Sequence, residues 1–351
     1  MSEGLVKGLH HITLVTDNEQ INRRFYTEVL GLRRVKLSVN QDDIFHRHIF
    51  YGDERGSSGS VVTFFEWPHL YEGRVGLGFP HHLAYSVSRI EALQKWSAWL
   101  KVHGVHVSRP YLFEDRVSIY FRDPDGVLLE LTCKVESGID SAYLVEMFSE
   151  GFSAKSISSD MNLKILDHGS PLATDPNLLE RFLSKIFGLK LLARWRNPHD
   201  PSSLILSFGL EEYGFLRYIV KSNTPSGFLG VGSIHHIAVK VVDEEEQREV
   251  MKILDNMGII HSGIIDRFWF KSLYFRDPFG NLLEVATEKP GYTIDEPPES
   301  LGSKLILPPW LEAERKRIED NLRLLDSRRS VQWPPKYPTT PEMPERVDQY
   351  Q

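Results

Sequence analysis

Two glutamates stand where a carboxylate is expensive. Glu130 lies in the run Leu-Leu-Glu-Leu and Glu284 in Leu-Leu-Glu-Val, sharing strand faces with Leu128 and Thr132 and with Leu282 and Ala286. A carboxylate buried there needs a metal ion or a paired arginine to meet it. Each lies 48 residues after a histidine, His82 and His236 respectively. A single glutamate of this kind is equally well served by an ion pair or an edge position, but recurrence at one spacing weakens that reading. Two strand histidines and one strand glutamate leave three coordination positions open on a metal, the arrangement suited to non-haem Fe(II) oxygen chemistry.

The spacing belongs to an internal repeat. PHHLAYSV runs on to YFRDPDGVLLE, and IHHIAVKV to YFRDPFGNLLE; Gly104 and Gly258 each follow their histidine by 22 residues, and Tyr120 and Tyr274 each precede their glutamate by 10. A second pair keeps register: LHHITLV with FYTEVLGL, and LDHGSPLA with FLSKIFGL, where Phe25 and Phe182 lie 14 residues after His11 and His168. The offsets, 157 for His11 to His168 and 154 for His82 to His236, mark one duplicated unit containing two modules.

Each module reads as strand, helix, then strands. His11, Thr13 and Val15 share one face of the opening strand, Ile12 and Leu14 the other. By the same parity His10 faces away from His11. Ile90, Leu93, Trp96 and Leu100 have helical spacing, ending at Gly104. The Asp-Pro-Asp-Gly and Asp277-Pro-Phe-Gly turns each join two short strands. The fold class is therefore α+β: four βαβββ modules paired into two open β-barrels, since a lone curved sheet exposes a face. Expected boundaries are 5–72, 78–136, 161–222 and 230–290 for the modules, with a linker at 137–160 and a C-terminal arm and Pro-rich tail at 291–351. In the arm, Pro308-Pro309 opens a helix with a stripe of Leu311, Ile318, Leu322 and Leu325. The tail WPPKYPTTPEMPERVDQYQ is too polar and Pro-rich to fold alone.

Composition narrows the partners. In 351 residues, 41 Lys and Arg against 48 Asp and Glu argue against nucleic acid. Cys133 alone excludes a disulfide framework, a cysteine-ligated zinc site and an iron–sulfur cluster. The opening residues carry no long apolar signal and no apolar run is long enough to span a bilayer, so a cytoplasmic protein without a membrane partner is expected.

Coordination number separates the leading chemistries, because a fourth protein ligand would favour a Lewis-acid isomerase. Counting four residues beyond the turn glycine, as for Glu130 and Glu284, gives Thr63 and Tyr218 in the other two modules. Glu66 has the wrong parity to substitute. Three ligands favour an oxygenase.

These repeats, with LHHITLV, FYTEVLGLRRVKLSVN, TFFEWP and the SLGSKLILPPWLE segment, resemble the vicinal oxygen chelate superfamily over residues 5 to 326. Within it the chain looks most like ring-cleaving dioxygenases of hydroquinones, with catechol-cleaving enzymes as cousins. The resemblance implies Fe(II), or alternatively Mn(II), held by His11, His236 and Glu284, O₂ as co-substrate and a small aromatic diol as substrate. It implies that Tyr274 contacts the substrate oxygen and places His10, Thr13, His235 and Arg267 around the metal in supporting or acid–base roles. Arg267 suits stabilisation of charge developing on oxygen, since guanidinium stays charged and donates in a fixed fork.

Two questions stay open at this level. Pairing of modules 1 with 4 and 2 with 3 gives His11, His236 and Glu284, and brings His82, Glu130 and His168 together as a second metal site; sequential pairing gives His168, His236 and Glu284. Module 2 carries Phe113 at the position of Arg267, with Arg116 nearby. The competing functions are a glyoxalase-like metal-dependent isomerase or transferase and a non-catalytic aromatic-binding barrel. A homo-oligomer formed through the tail helix or a module edge is also compatible with the sequence.

Overall fold

In the computed structural model, residues 4–135, 138–149, 156–211 and 213–327 are described. The Pro-rich tail expected from residue 333 onward lies outside them. The first βαβββ unit comprises β1 (Leu9–Thr16), α1 (Glu19–Arg24), β2 (Arg33–Asn40), β3 (Asp43–Gly52) and β4 (Val61–Glu66). The second comprises β5 (His82–Ser86), α2 (Ile90–Val102), β6 (Tyr111–Phe113), β7 (Arg116–Arg122) and β8 (Leu128–Lys134). A helix, α3 (Ser141–Ser149), then lies within the stretch read as linker. The third unit has β9 (Leu166–Ser170), the two-residue β10 (Leu172–Ala173), α4 (Pro176–Phe187), β11 (Lys190–Arg196), β12 (Leu204–Leu210) and β13 (Tyr213–Val220). The fourth has β14 (Ile234–Val241), α5 (Glu244–Asn256), β15 (His261–Asp266), β16 (Lys271–Arg276) and β17 (Leu282–Thr287).

Pairing is nested rather than sequential. One sheet runs β15-β16-β17-β14-β1-β4-β3-β2, joining the first unit to the fourth through antiparallel β1 and β14. The other runs β11-β12-β13-β9-β5-β8-β7-β6, joining the second to the third through β5 and β9. Each sheet curls into a half-barrel.

Alternation assigns the faces. Ile12, Leu14, Leu83, Tyr85, Ile237 and Leu283 are buried in a shared apolar core with helix residues such as Leu93, Trp96, Leu183 and Leu254. The opposite parity lines the barrel interiors. Gly169 sits where the two sheets meet: a Cβ there would lie 2.6 Å from Ile237 Cδ1, so this strand carries glycine where β1 carries Ile12. Tyr26 donates to Asp123 Oδ2 (3.0 Å) and Tyr218 to Asp277 Oδ2 (2.9 Å), each bond tying a turn to another module.

In the arm, a 3₁₀ turn at Pro309–Glu314 precedes α6 (Arg315–Ser327), so the helix starts later than Pro308-Pro309 suggests. Ile318 and Leu322 pack with Val39 and Leu307. The preceding segment is locked by Lys36, wholly buried, whose Nζ donates to Glu296, to Asp295 Oδ1 at 2.6 Å and to the Tyr292 carbonyl at 3.1 Å.

Candidate metal centre and its pocket

Sheet register builds the first centre as two adjacent rows. His11, Ala238, Glu284 and Tyr274 are successive cross-strand partners over β1, β14, β17 and β16. In the neighbouring row His236 stands beside Thr13, Thr13 beside Thr63, and Thr63 beside Phe50. Small Ala238 between His11 and Glu284 leaves room for both to lean inward. Glu284 Oε2 lies 3.2 Å from His11 Nε2 and 2.9 Å from His236 Nε2, and the two Nε2 atoms are 3.4 Å apart. That oxygen is buried without a hydrogen bond, while Oε1 accepts 2.5 Å from Ser272 Oγ. Burial alone would raise Glu284, but His11 and His236 outweigh it and hold it well below the usual carboxylate range.

Each histidine is oriented by the residue before it. His10 Nδ1 is 2.8 Å from His11 Nδ1, and His235 Nδ1 is 2.7 Å from His236 Nδ1. One proton shared on the Nδ1 side leaves Nε2 as a lone-pair donor toward the centre. Strict alternation would turn His10 away, but a bulge between Leu9 and His11 keeps it buried against Phe270, ring centroids 5.1 Å apart. Burial, then His11 and His236 respectively, pushes His10 and His235 each down to about 3.

Thr13 and Thr63 hydroxyls are 2.9 Å apart, and His48 Nε2 is 2.9 Å from Thr63 Oγ1. Thr63 thus occupies the row position of a fourth ligand but is engaged elsewhere. His48 was not singled out from the sequence; its clue would have been its parity on β3. Burial, and then His11 and His236, hold it well below the ordinary histidine value.

Arg267 and Tyr274 close the pocket. The guanidinium sits 5.4 Å from the Tyr274 ring centre, and Tyr274 packs edge-on to His236. Tyr274 is raised by burial and then by Glu284, with Arg267 and Ser272 opposing. Phe268, next to Arg267, holds a left-handed backbone (φ 74°), its N–H donating to Asp266 Oδ1 at 2.7 Å. Across the mouth, Arg267 pairs with Asp42 at 2.8 Å and its carbonyl accepts from Gln41. The cavity left is about 30 Å³ and includes Phe50, Phe65 and Trp269 in its wall.

The second barrel repeats the pattern. His168, Ala84, Glu130 and Tyr120 form one row, and His82 stands beside Ser170 in the next. These two clusters, His11/His236/Glu284 and His82/Glu130/His168, are the groups among the described residues whose ligand atoms converge enough to hold a metal ion. Here the sequence count needs correction. Leu216 pairs with Gly169, so Arg217, not Tyr218, takes the place corresponding to Thr63. A register shift between Phe208 and Gly209 moves β13 by one residue, and Tyr218 faces Asp277 instead. Phe113 packs edge-on to Trp195, and Arg116 pairs with Asp167 at 2.7 Å.

Residues 8–131 match the Glyoxalase/Bleomycin resistance protein/Dioxygenase superfamily. Over 91% of its length the chain is 34% identical to MhqA of Bacillus subtilis, a protein named for ring-cleaving dioxygenase activity, and covers 98% of it. It is 27% identical to the chlorohydroquinone/hydroquinone 1,2-dioxygenase of Sphingobium indicum, covering 89% of this chain and 95% of that one. A crystal structure from Bacillus subtilis described as a dioxygenase superposes with a TM-score of 0.77 at 28% identity, covering 92% of this chain and 97% of the other. No described helix is long and apolar enough to cross a membrane. Repeat, nested barrels and near full-length similarity together place the chain in the ring-cleaving dioxygenase family of the Glyoxalase/Bleomycin resistance protein/Dioxygenase superfamily.

Proposed function

We propose that the chain is an Fe(II)-dependent dioxygenase that opens the ring of a hydroquinone- or catechol-type diol, with its metal held by His11, His236 and Glu284. The observation that carries this reading is the buried Glu284 Oε2, unbonded and within 3.2 Å of both histidine Nε2 atoms. Fe(II) there would supply Lewis acidity toward a phenol oxygen and redox capacity toward O₂, with three coordination positions left open.

The protein's own residues supply the rest. His10 and His235 keep the ligand histidines in the Nε2-donor tautomer, and Thr13 helps hold Thr63 and His48 back from the metal face. Tyr274 presents its hydroxyl beside the open face to receive the substrate oxygen. His48, kept neutral by burial and by His11 and His236, lines the wall and holds Thr63 through its Nε2. Arg267 stabilises negative charge as it develops on oxygen.

A benzene-sized ring occupies a cavity of about 150 Å³. The first pocket is far smaller, so substrate binding requires its mouth to open, with Arg267 and Asp42 parting. Apo-protein reconstituted anaerobically with Fe(II) is expected to consume O₂ with hydroquinone, methylhydroquinone or catechol, and Glu284→Ala to lose that uptake by at least about a thousandfold. No uptake with any diol, together with isomerase activity under Zn or Ni, would overturn the reading.

A further inference from the structure

The second barrel contains a set of residues that ring cleavage in the first does not use. Glu130 Oε2 lies 3.1 Å from His82 Nε2 and 3.4 Å from His168 Nε2, and Glu130 Oε1 accepts 2.6 Å from Ser118 Oγ, as Glu284 does from Ser272. Metal bonds of ~2.1 Å put neighbouring ligand atoms ~3.0 Å apart in an octahedron and ~3.4 Å in a tetrahedron. The Glu130 oxygen is already at that spacing from both histidine nitrogens, and the three atoms lie within 4.8 Å of one another. Orientation is also supplied: His82 Nδ1 is 2.8 Å from His81 Nδ1, and His168 Nδ1 is 2.8 Å from Asp167 Oδ1, the carboxylate–histidine arrangement that directs Nε2 at a metal. His168 is wholly buried, yet its Nε2 has no hydrogen-bond partner. A histidine kept only for packing gains nothing from an orphaned, aimed nitrogen.

What faces this cluster differs from the first barrel. Arg217 replaces Thr63 in the row, buried, with Nε unpartnered and its nearest carboxylate, Asp167, at 3.9 Å. A guanidinium beside a divalent cation is unfavourable unless an anion lies between them. The space for one exists: the cavity over the cluster is about 510 Å³, with Phe113, Leu128, Leu172 and Ile205 in its largely apolar wall. That volume suits a ligand of one or two rings.

We propose that His82, Glu130 and His168 form a second divalent metal centre, and that the cavity above it takes an anionic aromatic ligand, an arene carboxylate or phenolate, whose charge is shared between the metal and Arg217. The inference uses none of the residues assigned to ring cleavage.

The test is Co(II) titration of the chelator-stripped full chain, read by visible absorption and by metal content. Wild type is expected to bind two equivalents, Glu284→Ala one, Glu130→Gln one, and the double variant none. Benzoate added to Co(II)-loaded Glu284→Ala should perturb the spectrum saturably, and Arg217→Met should weaken that binding at least tenfold with metal stoichiometry unchanged. One equivalent in wild type that Glu130→Gln leaves intact would overturn the metal centre. A benzoate response absent or indifferent to Arg217→Met would overturn the ligand assignment. Oxygen uptake separates this from the catalytic reading: if Glu130→Gln abolishes it and Glu284→Ala does not, the second centre stands and catalysis moves to it.

Discussion

Asp42 and Arg267, 225 residues apart in the chain, meet across the mouth of the first barrel through two contacts, Nη2 to Oδ2 at 2.8 Å and Nη1 to Oδ1 at 3.2 Å. The pair holds the Arg267 guanidinium, which also lies over the Tyr274 ring, against solvent-exposed Asp42. Exposed ion pairs contribute little to stability but compete directly for the arginine. Asp42→Ala is therefore expected to leave the urea midpoint essentially unchanged while lowering KM for a diol about threefold, with kcat unaltered. Steady-state oxygen uptake decides it; a raised KM would show that Asp42 helps substrate bind.

Ser272 fixes Glu284 Oε1 so that Oε2 faces the histidines. Loss of such a supporting hydrogen bond typically costs metal ligation about tenfold or more. Ser272→Ala should weaken Fe(II) or Co(II) affinity by about that factor, measured by competition with a chelator, and Ser272→Thr should restore much of it.

Asp277 is raised to about 6 by burial, against the bonds from Asn281, Phe279 and Tyr218 that lower it. Unfolded aspartate titrates near 3.9. Between those values the folded chain holds a proton that the unfolded chain has released, so this group's contribution to stability is greatest below about pH 4 and falls as pH rises through about 6. Removing the Tyr218 hydroxyl raises the folded value further. Tyr218→Phe should consequently cost more at pH 8 than at pH 5, by about 1 kcal/mol in urea unfolding; an equal cost at both would contradict the assignment.

Lys36 neutralises two acids of the arm in a fully buried position. Asp295 in turn accepts from Trp269 Nε1 at 2.8 Å, in the loop that carries Arg267. Removing one partner of a buried ion pair is expected to cost about 3 kcal/mol or more. Lys36→Met should show this in urea unfolding, and adding Glu296→Gln should recover part of it. If the loop depends on the anchor, kcat/KM falls in Lys36→Met as well.

The inward-facing glutamates were legible in sequence because parity in a strand is strict: Glu130 and Glu284 could face only one side, and the repeat said which; whether His11 or His168 would join His236 was not, because it depends on which modules pair. His10 and Arg217 were less legible, because a bulge at Leu9/His11 and a one-residue shift at Phe208/Gly209 each change the face or register that counting assigns. Asp42, Gln41 and Lys36 carried no local signal at all. Their partners lie more than 200 residues away, and each is an ordinary polar residue until the fold brings that partner to it.

Because β1 pairs with β14, the second and third units are enclosed between the two halves of the first barrel like an inner pair of brackets. During synthesis β5 and β9 are available to each other while β1 still presents an unpaired edge, since its partner is the last strand-bearing unit to emerge. The outer barrel is thus the slow, long-range closure and the inner one the early, shorter-range event. The first cluster takes His11 from one end of that closure and His236 and Glu284 from the other, so a chain halted before His236 lacks two of the three. Metal bound there would report that synthesis had passed Glu284.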